Sequence, residues 1–350
     1  MKRIGRFTLL TENRPYIETF AAVAGKREHE GPLGHEFDYC YDDTTLGEDS
    51  WEKSESRLQT EAVQRALQKG GLANEDIHYI FAGDLLNQCI SSTFGLRSLQ
   101  IPFLGQFGAC STMCQTLAMA TVFVESGAAD RALAVTSSHF CSAERQFRFP
   151  LEYGGQRPPT SQWTVTASGA AVVSQWGNTT KLSTAPVETV ENYPVISAVT
   201  VGRIADLGVK DANNMGAAMA PAAAQTLVDF FSDTKTVPTD YDLILTGDLG
   251  QVGTKLLGEL LEPYDICLGN LHQDCGNLIF DPQKQDVHAG GSGCGCAASV
   301  FCSKILREIQ QGVYRNVLFM ATGALMSPTS SQQGESIPSI AHLIHVTAQH

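Results

Sequence analysis

The chain has 350 residues, of which 43% are hydrophobic and 17% charged, so it can bury an interior larger than one typical domain core. Its formal net charge of −13 argues against a nucleic-acid-binding surface and against direct binding to anionic lipid. No run approaches the roughly 20 apolar residues that span a bilayer, and the N-terminus lacks the apolar segment of a signal peptide. The ten cysteines are scattered, as is typical of reduced thiols. We therefore expect an intracellular protein without a membrane anchor of its own.

Predicted strands and helices alternate along the chain. In the first part, the pattern predicts strands at 16–23, 77–82 and 132–136 and helices at 50–69 and 112–125. Residues 137–160 are polar and contain several glycines, prolines and arginines, so we expect a long functional loop there. Farther on, we expect strands at 165–175, 187–201 and 317–321 and helices at 215–231 and 297–310. This alternation favours an α/β fold with a doubly wound, buried parallel sheet.

The sequence contains an internal repeat. Residues 76–85 resemble residues 240–249, which aligns Gly83-Asp84 with Gly247-Asp248. Residues 131–135 resemble residues 315–319, and the offset between these two segments also relates Cys110 to Cys294. Each copy reads as a strand, a Gly-Asp turn, a turn with cysteine, a helix and a strand. We therefore predict two halves related by a pseudo-twofold axis, residues 1–178 and residues 179–350.

Cys110 lies in the segment Gly108-Ala-Cys-Ser-Thr112, at a predicted turn from a strand into a helix. The N–H groups and the dipole of a helix N-terminus favour a thiolate and can bind an anion. Two interpretations remain open here: a nucleophile, or a small buried residue that fills a tight turn. Cys294 and Cys296 do not indicate a zinc site, because a C-x-C pair in a Gly-rich turn lacks the usual ligand spacing. We predict no metal site and no cofactor.

The two similar halves and the Gly-Ala-Cys-Ser turn resemble the thiolase superfamily, which includes thiolases and ketoacyl synthases. This resemblance covers nearly the whole chain and implies a thiolase-like fold, a layered αβαβα body that forms a homodimer. It places Cys110 at the position of the catalytic cysteine. The helper residues do not match, because Cys294 stands where a His or Asn is expected and residues 246–250 contain no His. The resemblance therefore implies a vestigial nucleophile position rather than a working condensing enzyme.

A denser set of motifs resembles the stage V sporulation protein AD family. The motifs span residues 31 to 325 and include Gly31-Pro-Leu-Gly34, Ala82-Gly-Asp-Leu-Leu-Asn-Gln88, Ala143-Glu-Arg-Gln-Phe-Arg148 and Ala289-Gly-Gly-Ser-Gly-Cys294. This resemblance implies a protein that binds dipicolinic acid, with or without Ca²⁺, and helps to load it into the developing spore. It also implies membrane channel proteins as partners, which would hold the protein at the spore inner membrane. An acyltransferase that uses Cys110 with atypical helpers is the alternative, and a scaffold for the channel complex is a third interpretation.

Dipicolinate is a planar dianion, so its site needs donors for two carboxylates and an apolar wall for the ring. Arg145 and Arg148 are candidate donors, and Phe147 or Phe149 is a candidate wall. Asp84 and Asp248 follow the repeated strands, where they either cap turns or orient polar groups or Ca²⁺ in the pocket; Asn87 has the same ambiguity. The predicted ligand-binding residues are Cys110, Asp84, Asn87, His139, Arg145, Arg148, Asp248 and Cys294.

Overall fold

The computed structural model describes residues 1–148, 157–177 and 192–349, with the side chain of Arg148 outside the described part. The strands are β1 Lys2–Ile4, β2 Thr8–Leu10, β3 Tyr16–Ala24, β4 Tyr39–Cys40, β5 Tyr79–Gly83, β6 Phe103–Gly105, β7 Arg131–Ser138, β8 Trp163–Thr164, β9 Ala167–Ser174, β10 Tyr193–Thr200, β11 Leu243–Thr246, β12 His272–Asp274, β13 Gly291–Ser292, β14 Asn316–Ala324 and β15 Ser339–Gln349. The helices are α1 Lys26–His29, α2 Trp51–Gly70, α3 Ile90–Leu96, α4 Thr112–Glu125, α5 Phe140–Arg148, α6 Met215–Thr234, α7 Gly250–Leu261, α8 Cys275–Leu278, α9 Cys294–Val300, α10 Leu306–Gln310 and α11 Pro328–Gln332. A π-helical turn, Phe301–Ile305, joins α9 to α10.

The strand order shows the internal repeat directly. The long sheet runs β12-β11-β14-β15-β10-β3-β9-β7-β5-β6, so five strands lie on each side of the contact between β10 and β3. β5 and β7 occupy the same places in one set as β11 and β14 occupy in the other. These are the strands whose sequences resemble each other. The predicted boundary between residues 178 and 179 falls within residues 178–191, which lie outside the described residues, and stays a prediction.

The sheet is mixed, so the expectation of a parallel sheet is only partly correct. β5 pairs with β7 and β11 with β14 in parallel, but β9 and β15 are antiparallel to their neighbours. An antiparallel strand needs no crossover helix, because the chain re-enters the sheet at the end where it left. The short segment between β14 and β15 makes such a return, and both halves end in this way.

The helices complete five layers. α4 packs against β5 and β7 on one side and against β14 and β15 on the other, and α9 packs beside α4. α2 covers the outer face of β3 and β9, while α6 covers β14 and β15. α4 and α9 lie inside the body because their side chains are largely apolar all round, which is the composition of a buried helix. The arrangement is the αβαβα body that the resemblance implied.

Most predicted elements agree with the structure, but the predicted loop at 137–160 does not, because residues 140–148 form α5. Polar residues dominate this segment and concealed its helical character. Phe140, Ala143 and Phe147 nevertheless recur at the spacing of one helix face. Phe149, the other candidate ring wall, lies outside the described residues, as does the start of the strand predicted at 187–201.

Candidate functional site

The turn before α4 closes a small cavity, which we call the inner cavity. Its volume is about 50 Å³, and its walls include Leu85, Cys110, Phe147, Met215, Met219 and Met326. Small-molecule sites usually measure about 300–1,000 Å³, so this cavity is much smaller than such a site. It is also mostly apolar. As it stands, the inner cavity cannot hold an aromatic ring with two carboxylates.

Cys110 lies in this cavity as a neutral thiol. Its Sγ lies 3.9 Å from the Oγ of Ser292, and that hydroxyl donates to Oδ2 of Asp248 at 3.0 Å. Burial, and then the negative charge of Asp248, raise the pKa of the Cys110 thiol well above its ordinary value. The helix N-terminus was expected to favour a thiolate, but desolvation and the adjacent carboxylate outweigh it. Cys110 is therefore a weak nucleophile in this conformation.

The N–H groups of the Cys110 turn are engaged within the turn itself. The amide of Gly108 donates to Oγ1 of Thr112 at 3.0 Å, and the amide of Ser111 donates to the carbonyl of Gly108 at 3.1 Å. The amide of Thr112 donates to the carbonyl of Ala109 at 3.3 Å. These three donors already have acceptors and are not free for a ligand, so an anion site at this helix start stays a prediction.

The two repeated aspartates have different structural roles. Asp84 caps its own turn: its carboxylate accepts from the amide of Leu86 at 2.9 Å and from the amide of Ser92 at 2.8 Å. Asp248 accepts from the amide of Gly293 at 2.8 Å and from Oγ1 of Thr322 at 2.9 Å, in addition to its bond with Ser292. It therefore connects separate segments beneath the inner cavity. N–H and O–H donors point at both carboxylates, an arrangement that does not suit a Ca²⁺ ligand.

Cys294 and His139 are also engaged with the backbone. The Sγ of Cys294 donates to the carbonyl of Ser137 at 2.9 Å, and the side chain packs with Cys110 in a small buried cluster. Nε2 of His139 is hydrogen-bonded to the carbonyl of Thr44 at 2.8 Å, and Nδ1 accepts from the amide of Cys141 at 3.2 Å. Burial lowers the pKa of His139, which keeps its ring neutral. Ligand binding by either residue stays a prediction.

A second, larger cavity lies on the other side of α5, and we call it the outer cleft. Its volume is about 450 Å³, within the usual range for small-molecule sites. Its lining includes Glu52, Asn87, Gln88, Ser142, Arg145 and Gln146. The structure therefore brings two of the predicted residues, Asn87 and Arg145, together here. It places the other described candidates in or behind the inner cavity, or in the turns around it.

Arg145 supplies the positive charge of the outer cleft. Its Nε and Nη2 donate to Oε1 of Glu52 at 3.0 and 2.6 Å, and its Cζ lies 4.9 Å from the centre of the Trp51 ring. The side chains of Arg145 and Glu52 are 47% and 36% exposed, so water screens their pairing. Nε2 of Gln146 is buried and has no acceptor among the described residues. The cleft thus combines the guanidinium of Arg145, whose carboxylate partner can be exchanged, with the Nε2 donor of Gln146.

Comparisons with known proteins give the family. The sequence matches the stage V sporulation protein AD family over residues 5–347. Stage V sporulation protein AD of Bacillus subtilis (strain 168) is 46% identical over 342 residues, which are 98% of this chain and 97% of that protein. The chain belongs to the stage V sporulation protein AD family. A role in sporulation follows from this membership.

Solved structures share the fold of this family member at low sequence identity. The 3-oxoacyl-[acyl-carrier-protein] synthase III of Aquifex aeolicus VF5 is similar with a TM-score of 0.57 and 12% identity, over 95% of this chain and 99% of that chain. OleA of Xanthomonas campestris with bound cerulenin is similar with a TM-score of 0.59 and 12% identity, over 97% and 98% of the two chains. Identities this low show the fold alone. The fold is thiolase-like, as the sequence predicted.

Several lining residues of the outer cleft were missed from the sequence of this family member, namely Glu52, Gln88, Ser142 and Gln146. A signal for two of them was present. Ser142, Arg145 and Gln146 are spaced as neighbours on one side of a helix, so recognising α5 would have placed them together. Nothing local connects Glu52 to Arg145, because they come from different helices.

Two further observations concern membranes and metals. In the ranges that the structure describes, no helix has both the length and the apolar character needed to cross a membrane. Among the same residues, no group of three His, Cys, Asp or Glu side chains is placed to hold a metal ion.

Proposed function

We propose that this member of the stage V sporulation protein AD family binds dipicolinate in the outer cleft and assists its uptake into the developing spore without catalysing a reaction. The observation that carries the proposal is the meeting of four side chains around one cleft of about 450 Å³: Arg145, the amides of Asn87 and Gln88, and the amide of Gln146, whose Nε2 has no acceptor within the part of the chain that the structure describes. These groups are donors for carboxylate oxygens. The inner cavity offers neither the volume nor the donors.

Binding begins with an exchange of carboxylates at Arg145. An exposed ion pair contributes only about 0–1 kcal/mol, so a ligand carboxylate displaces that of Glu52 at small cost. The guanidinium then holds the ligand through two parallel hydrogen bonds. The second carboxylate accepts from the amides of the cleft, including Nε2 of Gln146, which is buried and has no acceptor among the residues described. Leu86 and Ile90, which line the cleft, supply an apolar wall for the pyridine ring.

Calorimetric titration with dipicolinate tests this function. Arg145→Ala is expected to weaken binding at least tenfold, because among the described residues it removes the one cationic donor that lines the cleft. Glu52→Gln is expected to tighten binding, since the competing carboxylate is gone. Arg65→Ala is the matched control, because Arg65 also pairs with a glutamate, Glu61, and stacks on an aromatic ring. No binding by the folded protein at millimolar dipicolinate, or equal affinity of Arg145→Ala, would contradict the proposal.

An acyltransferase is the second candidate, favoured by the chain of groups from Cys110 through Ser292 to Asp248. Our preferred function predicts that Cys110 stays unmodified when the protein is incubated with acetyl-CoA, as measured by intact mass. It also predicts that iodoacetamide at pH 7.5 modifies Cys110 at least tenfold more slowly than the exposed Cys267, because burial holds Cys110 as a thiol. A mass increase on Cys110 from acetyl-CoA would favour the enzyme instead.

The partners belong to the same proposal. We propose membrane channel proteins of the developing spore as partners, with Ca²⁺ arriving as the counter-ion of dipicolinate. Two copies of the chain are proposed to pair through an edge face, which we define as Ile90, Phe94, Phe103, Leu104 and Phe107. These side chains are 38–52% exposed, and β6 is the last strand of the long sheet. Arg97 is the only charged residue in the sequence 87–109. Two copies of a protein with net charge −13 can therefore meet at this face without bringing acidic side chains together.

A further inference from the structure

Two arginines meet over one tryptophan ring, at a place that lines neither the inner cavity nor the outer cleft. The Cζ atoms of Arg27, in α1, and Arg157 lie 3.9 and 4.8 Å from the centre of the Trp163 ring. Phe140 stacks on the same ring, with the two ring centres 3.7 Å apart. Rings stacked at this distance leave no room between them, so Arg27 lies over the opposite face of the tryptophan. We call Arg27, Arg157 and Trp163 the paired-arginine site.

Both guanidiniums of this site donate to one backbone oxygen. Nη2 of Arg27 and Nη2 of Arg157 each lie 2.7 Å from the carbonyl oxygen of Asp286. Gln285 fixes this turn against α1, because its Nε2 donates to the carbonyl of Arg27 at 2.7 Å. Burial lowers the pKa of Arg27, Glu28 opposes that shift, and the charge of Arg157 adds to it. Two positive charges are therefore held close together although they repel each other.

The neighbouring acids do not neutralise the paired arginines. Within the described ranges, Asp286 alone forms an ion pair with either of them: its Oδ2 lies 3.2 Å from Nη2 of Arg157. That carboxylate is 76% exposed and also lies 3.3 Å from Nε2 of His288, so it is screened by water and shared between two partners. The buried carboxylate of Glu28 accepts from a backbone amide instead. The site thus has a local excess of positive charge in a chain with net charge −13.

Each guanidinium also has N–H groups that are not used. An arginine carries five N–H donors. Nε of Arg27 and Nη1 of Arg157 are buried, and neither has an acceptor in the part of the chain that the structure describes. A buried donor without an acceptor is unfavourable, and an oxyanion that reached these groups would remove that penalty. Charge and free donors at the site therefore both favour an anionic ligand.

We propose that the paired-arginine site binds a phosphate group. The two oxygens of a carboxylate are satisfied by the fork of a single guanidinium. Two forks at one place need more acceptor oxygens, which a tetrahedral dianion supplies together with a charge that matches both arginines. The phosphate displaces the exposed carboxylate of Asp286 from Arg157, while the carbonyl of Asp286 keeps both side chains in place. This site is separate from dipicolinate binding at Arg145 and does not depend on it.

Calorimetric titration of the full chain with inorganic phosphate tests the site. The wild type is expected to bind one phosphate saturably. Arg27→Gln and Arg157→Gln are each expected to weaken binding about tenfold, because each removes one charged fork. Asp286→Asn is expected to tighten binding about threefold, since the competing carboxylate is gone and the backbone carbonyl remains. Arg14→Gln is the matched control, because Arg14 also lies over a tryptophan, Trp176, at 4.4 Å, and its loss should leave the affinity unchanged.

Three results would overturn the site. The first is no saturable phosphate binding by the folded wild type up to about 10 mM. The second is wild-type affinity in both glutamine variants with wild-type circular dichroism spectra. The third is an Asp286→Asn protein that binds phosphate no more tightly than the wild type. Misfolding cannot imitate the expected gain in affinity, so this third measurement decides the question even if a glutamine variant fails to fold.

Competition experiments separate the kinds of anion. Acetate at the same concentration is expected to leave phosphate binding unchanged, and equal competition by acetate would contradict the assignment to phosphate. Competition by glycerol 3-phosphate supports the site and identifies a soluble phosphate ester as its ligand. Sedimentation with vesicles that contain phosphatidic acid, lost in Arg27→Gln and retained in Arg14→Gln, supports the site and identifies a lipid headgroup instead.

Discussion

Replacing Asp248 by alanine is expected to lower the free energy of unfolding by about 3 kcal/mol. The carboxylate is fully buried and accepts hydrogen bonds from Ser292, Gly293 and Thr322, which lie in β13, at the start of α9 and in β14. Alanine leaves the amide of Gly293 without an acceptor and removes the connection between these segments. Urea denaturation followed by circular dichroism measures the change. A loss below about 0.5 kcal/mol would show that the connection contributes little.

Asp248→Asn is the matched control, since it keeps one oxygen acceptor and carries no charge. Burial raises the pKa of Asp248 to about 6, from an ordinary value of about 3.8. Between these values the folded protein holds a proton that the unfolded chain has released, so stability due to this group is complete below about pH 4 and is lost as pH rises towards 6. The wild type is therefore expected to lose about 1.4 kcal/mol per pH unit relative to Asp248→Asn in this window and to level off above it. If the difference in the free energy of unfolding between the wild type and Asp248→Asn stayed constant from about pH 4 to pH 6, the raised pKa of Asp248 would be contradicted.

Gly169→Ala is expected to destabilise the protein by about 3 kcal/mol, because β9 touches α9 there without space for a side chain. A methyl group on Gly169 would lie 2.3 Å from the carbonyl oxygen of Ala298 and 2.5 Å from its carbonyl carbon. Both atoms belong to the backbone of a helix in the middle layer, so neither can move alone. The contact between Gly169 and Ala298 sets the spacing between the sheet and that layer. Urea denaturation of Gly169→Ala measures the loss in the free energy of unfolding.

Gly258→Ala is the control for that substitution. Gly258 lies in α7, and a methyl group there would meet nothing within 4 Å. Alanine loses less backbone entropy than glycine in a helix, so a gain of about 0.5–1 kcal/mol is expected. Equal effects of the two substitutions, in either direction, would show that local propensity rather than the contact with Ala298 governs Gly169.

Much of the fold could be predicted because its signals are local. The buried strands β5 and β11 and the helix α4 are apolar runs with clear ends, and the resemblance between residues 76–85 and 240–249 indicated the repeat. α5 was missed because its apolar face is narrow and its other residues are polar. The strand at β9 was predicted, but its antiparallel direction was not, since an apolar strand does not reveal the direction of its neighbours. The strand β15 was not predicted.

The candidate site was less predictable than the fold, as Cys110 shows. Its place before a helix followed from the motif Gly108-Ala-Cys-Ser-Thr112, and the structure confirms that place. The protonation state of the Cys110 thiol could not be predicted from the motif. Asp248 and Ser292 come from the other half of the chain and approach the thiol only after folding. Desolvation is likewise a property of the packed body.

The two strand-and-helix halves, the position of Cys110 and the family of the chain all follow from the amino-acid sequence, since each depends on neighbouring residues or on a repeated motif. The division of the predicted residues between an inner cavity and an outer cleft was decided by the tertiary structure. α5 separates Cys110 from Arg145, and Glu52 of α2 holds the guanidinium at the cleft. Side-chain partners, burial and charge at a site depend on which distant segments meet, and no local pattern records those meetings.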